Sequence, residues 1–214
     1  MTEQQRVGQL LMVDCPSTGV SSATTTAIRQ FHVGSVILDG TSYAGLSATH
    51  AVTAQLQGLA PRNVRLFIAT DQEGGIVQRL RGAGFDQIPS AVQQGTLPPA
   101  TLRADARRWA NQLRSAGVNV NLAPVMDTVP AGFGSNPPIG DLDREYGHTT
   151  AVVAAHGDAY AEGMADAGVD ATAKHFPGLG RVRGNTDTTS GVTDTVTPRH
   201  GGFLMPFQSA VQTA

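Results

Sequence analysis

Short, apolar, β-branched runs alternate with helix-patterned stretches along this chain, and that recurrence limits its fold more than any other feature. The runs at 10–13, 33–38, 64–69, 118–125 and 169–173 read as strands. Between them, 21–31, 46–59, 102–116 and 150–167 carry helical periodicity, and a further helix opens at 203 and runs to 214. Ser21 or Ser22 caps the first of these helices, and Gly117 and Gly168 stop two others. Strand-helix alternation of this kind gives an α/β protein with a parallel sheet. The strands show little apolar-polar alternation, as expected when both faces of the sheet are covered.

Two architectures fit such a pattern. A doubly wound nucleotide-binding sheet needs a glycine-rich first turn, and the first turn here is Asp14-Cys15-Pro16-Ser17. A (β/α)8 barrel of the TIM type explains more, because each strand ends in an ionisable residue: Asp14, Asp39, Asp71, Asp127, and Lys174 with His175. Barrel strands converge at their C-terminal ends on one site. For any single residue, a solvated loop charge is the better account; five in a row are harder to explain that way. The 214 residues hold five strand-helix units, whereas a closed barrel takes about 250 residues. The expectation is a single domain over residues 1–214, an incomplete barrel from a longer protein. Its open sheet edges would favour aggregation or oligomerisation, although no oligomeric state can be read from the sequence.

Composition narrows the function. A net charge of −2 without a basic tract excludes nucleic acid and anionic membrane surfaces as natural partners. No apolar run is long enough to span a bilayer, and a single cysteine, Cys15, excludes an internal disulfide. Met1-Thr2-Glu3-Gln4-Gln5 is polar and precedes a strand-like run directly, unlike a secretory leader, which leaves cytoplasmic and cell-surface settings both open. The six histidines show neither HExxH spacing nor a carboxylate cluster, and no phosphate loop is present. Neither metal nor cofactor is expected.

Lys174 is the only lysine. A composition that otherwise uses arginine keeps an ammonium at one strand end, beside His175, where a compact point charge differs from a planar fork. On these residues alone, a surface lysine beside a packing histidine stands as an equal reading, and a Schiff-base lysine of a barrel aldolase remains open. A second motif, Asp71-Gln72-Glu73-Gly74-Gly75-Ile76-Val77-Gln78-Arg79, follows the third strand. Its glycines permit a sharp turn and close approach to a ligand. Asp71 would accept hydrogen bonds from hydroxyls, and Arg79 would clamp an oxygen or hold Asp71.

Together these motifs resemble glycoside hydrolase family 3, in particular the branch of bacterial β-N-acetylhexosaminidases. The similarity covers D-Q-E-G-G-x-V-Q-R at 71–79, K-H-F-P-G-x-G at 174–180 and A-P-V-x-D at 123–127. The loop 136–147 is similar to N-P-x-I-G-x-R-x-[FY]-G with two extra residues before Arg144. Val7 to Met12 resembles the family's barrel start, and Met205-Pro206-Phe207 its L-x-P-F helix opening. The resemblance implies a retaining β-glycosidase, of β-N-acetylglucosaminidase or β-glucosidase type, acting on cell-wall or oligosaccharide glycosides without a cofactor. Carried over by position, Asp71, Arg79, Arg144, Lys174 and His175 would bind the hydroxyls of the terminal sugar by charge-assisted hydrogen bonds.

Two departures accompany it. The branch carries D-S-H in the loop after K-H-F-P-G-H-G, its histidine acting as acid/base. Here Asp187-Thr188-Thr189 stands in that place, and Leu179 replaces the second histidine of the motif. Asp187 is then the candidate acid, or the orienter of one, given a carboxyl raised by burial; a turn residue in Asn185-Thr186-Asp187 is an equal account. His200 is near in sequence, but its spacing does not place it in the site. The family's nucleophile aspartate lies on a later strand and has no match among residues 1–214, so hydrolysis by this chain alone is not expected. A non-catalytic sugar-binding module built on the same barrel is the alternative.

Overall fold

The computed structural model describes residues 1–61, 64–198 and 201–213. His200 and Ala214 lie outside the described residues. In chain order, the elements are helix α1 (Glu3–Gly8), strand β1 (Met12–Pro16), α2 (Ser22–Phe31), β2 (Ser35–Asp39), α3 (Leu46–Leu59), β3 (Phe67–Thr70), the short hairpin strands β4 (Gln72–Gly74) and β5 (Val77–Gln78), α4 (Ala91–Gln94), α5 (Pro99–Ser115), β6 (Val120–Asn121), α6 (Thr150–Asp166), β7 (Asp170–Ala171) and α7 (Met205–Thr213). Five strands form one parallel sheet in the order β1-β2-β3-β6-β7, and β4 and β5 pair antiparallel beside it. Sequential parallel strands, joined through helices, are five successive units of a (β/α) barrel.

The sequence patterns account for most of these elements. Ser21 caps α2, its hydroxyl accepting from the Thr24 amide, and His32 closes the helix in the left-handed region. The inner face of α3 is Val52 and Leu56, both buried. Helix α5 turns Leu102, Ala106, Trp109, Ala110 and Leu113 inward. Its arginines stay on the wet face, where Arg103 and Arg108 form exposed ion pairs with Asp86, Asp105, Glu162 and Asp166. At Gly163, α6 lies so close to α5 that a Cβ would meet Ala106 Cβ at 2.6 Å. The core joins Cys15, Val36, Leu38 and Ile68 on the sheet to Leu56, Trp109, Tyr160 and Met164 on the helices.

Several strand boundaries differ from the sequence expectation, each for a local reason. The apolar run at 10–13 is not all strand. Thr2 and Gln5 form a capping box that starts α1, and turn hydrogen bonds to Val7 and Gly8 leave Leu10 84% and Leu11 52% exposed. Strand β1 therefore begins at Met12, and Asp14 falls within it rather than at its end. Residues 64–66 precede β3 because the Leu66 backbone is bonded by the Gln57 and Asn119 side chains instead of a neighbouring strand. Proline interrupts the run at 118–125. Pro124 has no N–H to give, and pairing resumes only as the Val125–Lys174 bridge. Nor are both sheet faces covered throughout: Met12, Asp14 and Phe67 are exposed.

Candidate active site

Four ionisable strand-end residues, Asp71, Asp127, Lys174 and His175, meet at the C-terminal end of the sheet. Lys174 Nζ donates to Asp71 Oδ1 at 2.5 Å and lies 2.7 Å from Glu73 Oε1. Arg144 reaches in from the long loop and holds Glu73 with two parallel bonds, Nε to Oε2 at 2.9 Å and Nη2 to Oε1 at 2.8 Å. The Pro138 carbonyl accepts from its third nitrogen at 2.7 Å and fixes its orientation. Behind His175, Asp127 Oδ2 accepts from the ring Nδ1 at 2.6 Å and from the His175 amide at 3.2 Å. The other Asp127 oxygen accepts from the Leu179 amide at 2.6 Å. The Lys174–His175 and Phe176–Pro177 peptide bonds are cis.

The donors fix the histidine tautomer. His175 Nε2 lies 3.2 Å from Arg144 Nη2. A guanidinium can only donate, so Nε2 accepts and the ring proton sits on Nδ1, directed at Asp127. His175 is thus held between a carboxylate and a guanidinium.

Burial sharpens the electrostatics. Glu73 is 5% exposed and Asp127 1%, whereas the side chains of Arg144 and Lys174 retain 13% and 15% exposure toward the cavity. Burial by itself pushes the Glu73 carboxyl up. Hydrogen bonding from Arg144 and the charge of Lys174 outweigh it and hold the group below its ordinary value. Arg144 is held above its own ordinary value: burial works against its charge, and Glu73 more than restores it. With Arg79, the cations number three and offset Asp71, Glu73 and Asp127 on the floor, while Asp187 adds a carboxylate at the mouth. A pocket of this kind suits a neutral ligand with many hydroxyls.

Asp71, Arg79, Arg144, Lys174, His175 and Asp187 line a cavity of about 650 Å3, with Glu73 and Asp127 behind its wall. Asp14 and Asp39 do not reach it. Arg79 does not hold Asp71 through its side chain. The link is backbone, the Arg79 amide donating to the Asp71 carbonyl at 3.1 Å, and its guanidinium makes no hydrogen bond or ion pair among the described residues. Asp187 sits at the mouth and is exposed, in a turn closed by its own amide donating to Asn185 Oδ1 at 2.9 Å. The burial that an acid role asked of it is not there. Thr189 is exposed as well, and Leu179 packs against the apolar cluster of Val125, Val129 and Ile139.

Two residues that organise the pocket carry no functional mark in the sequence: Glu73 stands inside the 71–79 motif, and Asp127 is one strand end among five. Below them, the Gln72 backbone is clamped on both sides. Its amide donates to Asn121 Oδ1 at 3.0 Å and its carbonyl accepts from Tyr160 OH at 2.7 Å. The Gln72 side chain bonds the Leu80 amide and carbonyl, completing the hold on the segment between Asp71 and Glu73.

Fold and pocket together define a TIM-barrel-type protein with an ion-paired polar site at the C-terminal strand ends, where barrel enzymes carry their chemistry. The chain belongs to glycoside hydrolase family 3: the model of the "Glycosyl hydrolase family 3 N terminal domain" matches residues 2–214. It is 32% identical over 216 residues to the β-hexosaminidase LpqI of Mycobacterium tuberculosis, covering 100% of this chain and 53% of that protein. A β-hexosaminidase of Hydrogenovibrio crunogenus is 33% identical over 183 residues, with 82% and 49% covered. Among solved structures, the β-N-acetylhexosaminidase of Beutenbergia cavernae superposes with a TM-score of 0.97 at 46% identity, over 100% of this chain and 65% of that one. A family 3 β-N-acetylglucosaminidase from Paenibacillus gives a TM-score of 0.88 at 32% identity, over 100% and 40%. The chain spans about half the length of the curated relatives it matches.

Proposed function

We propose that residues 1–214 are one barrel domain that forms the terminal-sugar pocket of a retaining β-glycosidase of the β-N-acetylglucosaminidase type. The observation that carries this reading is the continuous chain of contacts Asp71–Lys174–Glu73–Arg144–His175–Asp127. Asp71 and the free edges of Lys174 and Arg144 offer acceptors and donors to vicinal hydroxyls, while Glu73 and Asp127 hold those groups in place. Arg79, without a protein partner among the described residues, is the group best able to reach a ligand oxygen.

This chain by itself binds and does not hydrolyse. A retaining mechanism needs a carboxylate free to attack the anomeric carbon. Glu73 is locked by Arg144, Asp127 by His175 and the Leu179 amide, and Asp71 by Lys174. Asp187 is exposed at the rim. Calorimetric titration with N-acetylglucosamine and glucose, run beside an assay on chromogenic β-glycosides, tests both halves. Saturable binding that favours N-acetylglucosamine, without release of chromophore, is the expected result. Turnover by the pure chain would overturn the absence of a nucleophile.

A second reading is a sugar-binding module that has lost catalysis. Leu179 favours it, having exchanged a polar site position for apolar packing, and so does Thr189, whose hydroxyl cannot protonate a leaving group near neutral pH. A longer form of the protein decides between them: binding without turnover selects the module, and turnover selects the hydrolase.

A further inference from the structure

Behind the Asp127–His175 pair, toward α7, lies a small cavity of about 10 Å3. Three separate stretches enclose it. One carries Asp127 and Thr128, one Gly178 and Arg181, and one Phe203 and Phe207. The first two are in close contact, since a Cβ on Gly180 would collide with the Thr128 carbonyl. The third is joined to the second by stacking: the Arg181 guanidinium lies over the Phe203 ring, 3.4 Å from its centroid. No secondary structure links the three, so the groups around this cavity decide how they are held together.

Two of the enclosing residues bring a buried polar atom without a hydrogen-bond partner among the described residues, Thr128 Oγ1 and Arg181 Nη2. Thr128 is 5% exposed, so bulk solvent does not serve its hydroxyl. Burial holds the Arg181 guanidinium below its ordinary value, with the charge of Asp194 working against this. Buried groups of this kind are costly to leave unpaired. A third group has an acceptor to spare. Among the described residues, Asp127 Oδ1 takes only the Leu179 amide, at 2.6 Å, although a carboxylate oxygen has two lone pairs. It stands beside the cavity, because a Cβ on Gly178 would lie 3.8 Å from it and 3.9 Å from Phe207 Cε2.

We propose that this cavity is a binding site for one buried water, which accepts from Arg181 Nη2, shares a hydrogen bond with Thr128 Oγ1 and donates to Asp127 Oδ1. The volume admits a single water and nothing larger. Asp127 repels an anion and Arg181 repels a cation, whereas a molecule that both donates and accepts satisfies all three groups. Through the water, Arg181 is tied to Asp127 and so to His175. Thr128 and Arg181 are then positioning residues, acting on the main pocket from behind its wall. None of these contacts depends on the ligand that the main pocket takes.

A high-resolution crystal structure of the intact chain tests the site, with amide spectra of the wild type, Thr128→Val and Thr128→Ser beside it. Valine keeps the outline of threonine and removes the hydroxyl, and serine restores the hydroxyl. The wild type should show one water within hydrogen-bond distance of Thr128 Oγ1, Arg181 Nη2 and Asp127 Oδ1. In Thr128→Val the water should be lost. Asp127 Oδ1 then keeps a single donor, that bond tightens, and the Leu179 amide proton should move downfield. Thr128→Ser should return it to its wild-type position. A cavity that is dry in the wild type, or that holds an ion, overturns the water site. A Leu179 proton that does not move in Thr128→Val, or that moves as far in Thr128→Ser, overturns the link to Asp127.

Discussion

The pocket floor and the loop at its rim are built in opposite ways. On the floor, Glu73 and Asp127 are almost fully buried, and every charge but Arg79 contacts a partner from a distant part of the chain, such as Lys174 with Asp71. At the rim, Asp187 and Thr189 are exposed, and the hydrogen bonds nearby are short-range: Asp187 to Asn185, Val196 and Thr197 to Asp194. Binding groups are thus anchored in the sheet, while the segment around Asp187 and Thr189 is held by the hydrogen bonds of its own turns.

Removing Glu73 should produce the largest effect. Glu73→Ala leaves Arg144 and Lys174 as two poorly compensated cations in a largely buried site, a loss of about 3–5 kcal/mol. Urea unfolding should show it, together with loss of sugar binding. The acid limb of the same curve carries a sign. The folded-state carboxyl of Glu73 lies below its unfolded value, so its stabilisation is present above the unfolded value and lost as pH falls through the folded one. A Glu73→Gln variant should be less stable at neutral pH and flatter in acid. A loss under 1 kcal/mol for Glu73→Ala would mean that the floor is no more tightly built than the rim.

Arg79 comes next and separates binding from stability. Its side chain makes no contact with a charged partner among the described residues, so Arg79→Ala should leave the urea midpoint nearly unchanged. Sugar affinity should fall about tenfold, the value of one charge-assisted bond. A fall in stability with unchanged affinity would make it a structural residue of the β4–β5 turn.

How far the sequence revealed this contrast depends on the type of contact. Five strand-helix units and their order were legible because periodicity is local. Asp71 and Lys174 stood out because a lone lysine and a Gly-Gly turn are local features too. The capping box of Thr2 and Gln5 was also written in the sequence, but an apolar run at 10–13 outweighed it. Glu73 and Asp127 were harder. Their partners are 71 and 48 residues away, and a carboxylate that serves other protein groups carries no mark of that in its neighbours. The short β3 and β6 were hidden for a similar reason, since Asn119 and Gln57 side chains stand in for strand pairing.

Glu145 sharpens the comparison from another side, as a second buried glutamate of opposite character. It is 3% exposed, and its Oε2 has no partner. Burial pushes its carboxyl above the ordinary value, with the charge of His148 working against this. A raised folded-state value favours the protonated form, so Glu145 costs stability progressively as pH rises from its unfolded value through its folded one. Glu145→Gln should therefore stabilise the protein by about 1 kcal/mol at pH 8, with the gain shrinking toward pH 4. Thermal melts across that range check the slope, and a gain that grows toward acid would reverse the assignment.

The rim should give the smallest response. Asp187→Ala removes an exposed side chain whose turn depends on its backbone amide and on Asn185, so stability should change by less than about 0.5 kcal/mol. Affinity for a monosaccharide should hold as well, because the groups that grip it lie on the floor. Limited proteolysis adds a second reading. Cuts should fall first between 184 and 197, where the hydrogen bonds are all local, and sugar bound on the floor should not slow them. Protection of that segment by sugar would show that the rim closes on the ligand. Asp187 would then belong with Lys174 and Arg144, and the division between floor and rim would hold only for the empty pocket.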